Sequence, residues 1–97
     1  MIKNYKKKPV IIQALEWSGS NYEEIDNFLG SNYEFSGTTL IIHTLEGDMS
    51  AKKGDYIIKG VRGEFYPCEK SIFEETYDEA EYSPLLFSLY VLWKHIY

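Results

Sequence analysis

The chain has 97 residues, 44% of them hydrophobic and 16% aromatic, with a formal net charge of −5. That length holds one domain. A single cysteine, Cys68, excludes an internal disulfide and a cysteine-rich metal site, and no apolar run approaches the ~18 residues needed to span a bilayer.

Charge is unevenly spread. Lys3, Lys6, Lys7 and Lys8 precede every acid, whereas from Pro9 onward six basic residues face fifteen acidic ones. Such a body repels phosphate backbones and attracts basic proteins, so direct nucleic-acid binding is not expected. Between Glu64 and Glu81 only Lys70 opposes seven acids.

In chain order, PVIIQALEW (Pro9 to Trp17) reads as a strand, β-branched at its start and aromatic at its end. SGSN (Ser18 to Asn21) is a turn, and Ser20–Glu23 and Asn21–Glu24 have capping-box spacing. The short helix that follows places Tyr22, Ile25, Phe28 and Leu29 on one face and ends at Gly30. Successive strands are then expected over Asn32 to Ser36, Thr38 to Leu45 and Asp48 to Ala51, with Gly37 and Glu46-Gly47 at the turns. Lys52 to Asp55 forms another turn before the strand Tyr56 to Lys59. Gly60 to Gly63 reverses the chain into Glu64 to Tyr66, where Pro67, lacking an N–H, stops the ladder. Ser71 and Glu74 suggest a second capping box, opening a helix with an inner face of Ile72, Phe73, Thr76 and Tyr77.

These short strands, with one helix early and one late, predict an α+β domain over residues 1–81. Its expected core is a curled antiparallel sheet or small open β-barrel. Residues 82–97 differ. Ser83 and Pro84 form a helix start, and Leu85, Leu86, Leu89, Leu92, Trp93 and Ile96 recur at helical spacing. Phe87, Tyr90, Val91 and Tyr97 make the other side apolar too, so this helix is expected to pack or to oligomerise.

No catalytic motif is visible: there is no HExxH, CxxC, GxSxG, GxGxxG or phosphate loop, so no enzyme, cofactor or metal is expected. His43 and His95 are isolated in sequence. Asp48 and Asp55 follow glycines, where aspartates commonly cap turns. Cys68 stands at a strand-to-helix junction, a position that can lower a thiol pKa. The densest grouping is GDYIIKGVRGEFYPC, in which Tyr56, Lys59, Arg62, Glu64 and Tyr66 are candidates for clamping a nucleotide-like ligand or the parts of a plain hairpin. Glu74, Glu75, Asp78, Glu79, Glu81 and Tyr82 are candidates for a partner-binding face, or for a solvated one.

YKKKPVIIQALEW, LIIHTLEGDM and KGDYIIKGVRGEFYPCEKSIFEETY together resemble a family of small phage and prophage proteins with a PGDYG-type motif. The resemblance covers Tyr5 to Glu79. Lys53 replaces the motif's proline and Ile57 its second glycine, and residues from Tyr82 on exceed the usual family length. No activity or site accompanies the resemblance, which implies a mobile-element origin and action in the host bacterial cytoplasm. Three functions are then open: a counter-defence or takeover inhibitor that blocks a basic host protein surface, an oligomeric sponge for a nucleotide immune signal, and a structural or accessory phage protein.

Overall fold

Six short strands and two short helices order as β1 (Gln13–Glu16), α1 (Tyr22–Leu29), β2 (Tyr33–Ser36), β3 (Thr39–Thr44), β4 (Gly47–Ala51), β5 (Tyr56–Lys59), β6 (Phe65–Cys68) and α2 (Lys70–Thr76). The computed structural model describes residues 1–80, and the apolar helix expected over residues 82–97 lies outside them. The chain divides into two units, and every element above belongs to Ile12–Asp78. The other unit takes in Met1–Ile11, where the four early lysines are exposed.

The strands form two antiparallel three-stranded sheets, ordered β1-β5-β6 and β2-β3-β4. The class is α+β, but the expected single curled sheet or barrel is not what forms. The reason lies in the connections. Tight hairpins join β2 to β3, β3 to β4 and β5 to β6, while the Lys52–Asp55 turn carries the chain from β4 into a sheet built with β1. Asp55 fixes that turn, accepting the Lys52 backbone N–H through Oδ2 at 3.0 Å.

One core serves both sheets and α1. Leu15, Ile57 and Phe65 contribute from the first sheet and Tyr33, Phe35, Leu40, Ile42 and Ala51 from the second. Ile25, Phe28 and Leu29 come from α1. The period-two alternation of each strand makes this possible, because Leu40 and Ile42 face inward while Ile41 and His43 face outward. Trp17 follows β1 and has no exposed surface. Its Nε1 donates to Thr38 O at 3.0 Å, and its ring lies 5.1 Å from Tyr22 and 5.0 Å from Phe35. Its backbone N–H donates to Asp55 O, and its carbonyl accepts from Gly54 N.

Several local expectations change. The first strand begins at Gln13, not Pro9. Neither capping box forms, since both N-caps, Asn21 and Glu69, lack a side-chain cap bond. Asn21 instead braces the preceding turn. Its Oδ1 accepts from Ser18 N at 2.8 Å and its Nδ2 donates to Glu16 O at 2.8 Å. Ser71 lies inside α2 and donates to Glu69 Oε1, and Ile72 faces solvent. Pro67 does not end its strand. Gly60 N donates to Glu64 O, so in the alternating antiparallel ladder Ile58–Tyr66 and Tyr56–Cys68 are the bonded pairs. Pro67, opposite Ile57, falls at a non-bonded rung of an edge strand, where no donor is required.

Candidate functional site

The five residues of the candidate ligand cluster do not converge. On β5 and β6, Tyr56, Ile58, Tyr66 and Cys68 share one face of the sheet. Ile57, Lys59, Phe65 and Pro67 share the other, and Lys59 Nζ lies 5.8 Å from the Phe65 ring centroid. Lys59 is thus across the sheet from the two tyrosines. Arg62 and Glu64 stay at the hairpin tip, where Glu64 Oε2 accepts the Arg62 backbone N–H at 3.0 Å. Gly60 permits this fold-back, because a Cβ there would collide with the Glu64 carboxylate.

The two tyrosines have partners within the fold. The Tyr56 ring stacks on Phe73 of α2 at 4.0 Å and 10°, and Phe73 lies 5.1 Å from Tyr77. Burial, together with a hydrogen bond to Tyr77, pushes the Tyr66 hydroxyl pKa up to about 12. Burial and the neighbouring Glu16 carboxylate also raise Tyr56. Glu16 pairs with Lys70 Nζ at 3.4 Å, tying α2 to β1. These rings therefore dock α2 on the sheet. Cys68 is raised as well, by burial and by Asp55 and Glu69, the reverse of an activated thiol.

The acidic candidates lie together in sequence, and the four among the described residues face water. Glu74 and Glu75 are on α2, Asp78 and Glu79 follow it, and each is exposed. Among the described residues, ion pairs join His43 to Glu34 and Asp48 and Lys70 to Glu16. Glu74, Glu75, Asp78 and Glu79 take part in none of these. Glu81, Tyr82 and the oligomerisation candidates Leu85, Leu86, Leu89, Leu92, Trp93 and Ile96 lie outside the described residues.

A grouping that sequence spacing does not reveal sits on the outer face of the second sheet. Asp48 lies in β4, as the strand expected from Asp48 to Ala51 has it, directly opposite His43; its carboxylate meets the His43 ring. His43 N donates to Asn32 O, which turns its backbone groups toward β2. The His43–Asp48 rung is therefore of the narrow, non-bonded kind, which brings side chains close. His43 Nδ1 and Asp48 Oδ1 are 2.7 Å apart, and Nε2 is 4.0 Å from Glu34 Oε1 on β2. The hydrogen bond to Asp48 raises the His43 pKa, outweighing the opposing effect of desolvation. The positions 34, 43 and 48 match no motif. Only hairpin register, readable from the turns at Gly37 and Glu46-Gly47, brings them together.

No family model, curated protein or solved structure matches the chain. Among the described residues, no helix is long and apolar enough to cross a membrane.

Proposed function

We propose that this is a non-enzymatic binding protein of phage or prophage origin, which acts in the host cytoplasm by occupying a basic surface of a host protein. The observation that carries this reading is the exposed acidity of the folded unit. Ile12–Asp78 holds thirteen acidic residues against five basic ones, and nearly all of those acids face water. Glu74, Glu75 and Asp78 present adjacent carboxylates along and just after α2, while its one lysine is paired inward with Glu16. Electrostatic complementarity of this kind steers association and makes it steeply salt-dependent.

The nucleotide-sponge reading draws less support, because Lys59 lies across the sheet from Tyr56 and Tyr66. A structural or accessory role would lean on residues beyond those described. The test uses tagged full-length protein in host lysate at low salt, in parallel with the triple variant Glu74→Lys, Glu75→Lys, Asp78→Lys. The wild type is expected to retain a basic host protein that the variant does not, and to release it as salt rises. Equal retention by both, or none by the wild type, refutes the proposal.

A further inference from the structure

The outer face of β2-β3-β4 carries an arrangement that the binding proposal does not use. One donor atom from each of Glu34, His43 and Asp48 lies within 4.8 Å of the others, and all three residues are exposed. They come from three adjacent strands. Asp48 is directly across from His43, and Glu34 is paired with Ile41, two residues before His43 on the same face. The ladder thus sets the backbone spacing, and only side-chain rotation separates the donors from a closed set.

We propose that Glu34, His43 and Asp48 form a surface site for a borderline divalent cation of the zinc type, with water completing the coordination shell. A tetrahedral shell with bonds of ~2.0–2.1 Å to nitrogen and oxygen has donor–donor edges of about 3.3 Å. The closest pair already lies inside that distance, at 2.7 Å. Glu34 Oε1 lies 4.0 Å from the other ring nitrogen, Nε2. Because the imidazole gives a cation one nitrogen only, the relevant set is one donor per residue, all within 4.8 Å of one another. Its widest edge must close by at most about 1.5 Å through side-chain rotation. One imidazole with two carboxylates suits zinc and its first-row neighbours, whereas magnesium and calcium favour all-oxygen sites. The surrounding negative charge adds a general attraction for cations. Binding exchanges the His43–Asp48 hydrogen bond for coordination, so protons compete with the metal.

The test is titration of Zn²⁺ into EDTA-stripped, dialysed full-length protein near neutral pH. Calorimetry gives stoichiometry, and amide chemical shifts locate the site. The expected result is one site per chain, with shifts centred on residues 34, 43 and 48 and no comparable response to Mg²⁺. His43→Ala should weaken binding at least tenfold, and Glu34→Gln or Asp48→Asn should each weaken it on the order of tenfold. His95→Ala and Cys68→Ser, which remove the other imidazole and the thiol, should leave it unchanged. Absence of binding at millimolar Zn²⁺ overturns the proposal, as does binding that survives His43→Ala. Indifference to both carboxylate variants overturns it too, since a lone histidine would then suffice.

Discussion

Trp17 is where the two sheets and α1 meet, and its removal tests that account of the core most directly. The side chain is fully buried, contacts Tyr22 and Phe35, and donates to Thr38 O across the fold. Truncating such a residue to alanine costs roughly 3–5 kcal/mol through lost transfer energy and a residual cavity. A domain of this size has about 5–15 kcal/mol in all, so Trp17→Ala should remove a large share of it. At ~4–8 °C per kcal/mol for a chain of this length, the melting temperature should fall by at least about 12 °C. Trp17→Phe divides the effect into parts. It keeps an aromatic ring but drops the Thr38 hydrogen bond, worth about 0.5–1.5 kcal/mol, together with part of the buried area. Its melting temperature should lie between wild type and Trp17→Ala. Far-UV circular dichroism during heating and in urea is the suitable probe, because Trp93 complicates fluorescence. If Trp17→Ala melts within two or three degrees of wild type, the shared core is wrong.

Other expectations concern smaller parts of the fold. Tyr66 should ionise late: absorbance titration of phenolate should show a class titrating near pH 12, lost in Tyr66→Phe. A tyrosine whose folded pKa is raised favours the folded state only while protonated, so stability should decline as pH rises from about 10 towards 12. His43 should titrate above the ordinary imidazole value in metal-free protein, by NMR of its ring, and Asp48→Asn should bring it down. Since that folded pKa is raised, the pair's contribution is fully present below the unfolded value and disappears as pH climbs through the folded one. A His43 ring titrating at or below the ordinary value would refute the Asp48 contact. Gly63→Ala should destabilise by about 1–2 kcal/mol, because Gly63 has φ +81°. Gly60→Ala should cost no more than the one hydrogen bond that Glu64 gives up on swinging away, about 0.5–1.5 kcal/mol. Urea denaturation of the two variants measures both values.

What the sequence made legible was local. The strands of the β2-β3-β4 sheet and β5 are readable because glycine turns bracket them, with period-two alternation of burial added in Tyr33–Ser36 and Thr39–Thr44. The helix face of Tyr22, Ile25, Phe28 and Leu29 likewise delivers Ile25 and Leu29 to the core. What misled was spacing taken as contact. Ser71 and Glu74 have capping-box spacing, but the helix starts two residues earlier, with Glu69 as its N-cap, and places Ser71 inside it. Tyr56, Lys59 and Tyr66 are close in sequence, yet strand parity sends Lys59 to the other face.

The same parity explains why the outer-face cluster went unseen. His43 is isolated in sequence, with no metal or catalytic motif around it. Its companions lie nine residues before and five after, separations set by two hairpins and not by any chemical pattern. Had either hairpin shifted by one residue, Glu34 or Asp48 would point to the opposite face and the grouping would not exist. Register is pinned by the inward-facing rungs of the same hairpins, Phe35 opposite Leu40 and Leu40 opposite Ala51. The apolar core therefore positions the polar cluster. A core variant that lets β4 slip relative to β3 should abolish the His43–Asp48 contact without touching either residue, and loss of the raised His43 pKa would report it.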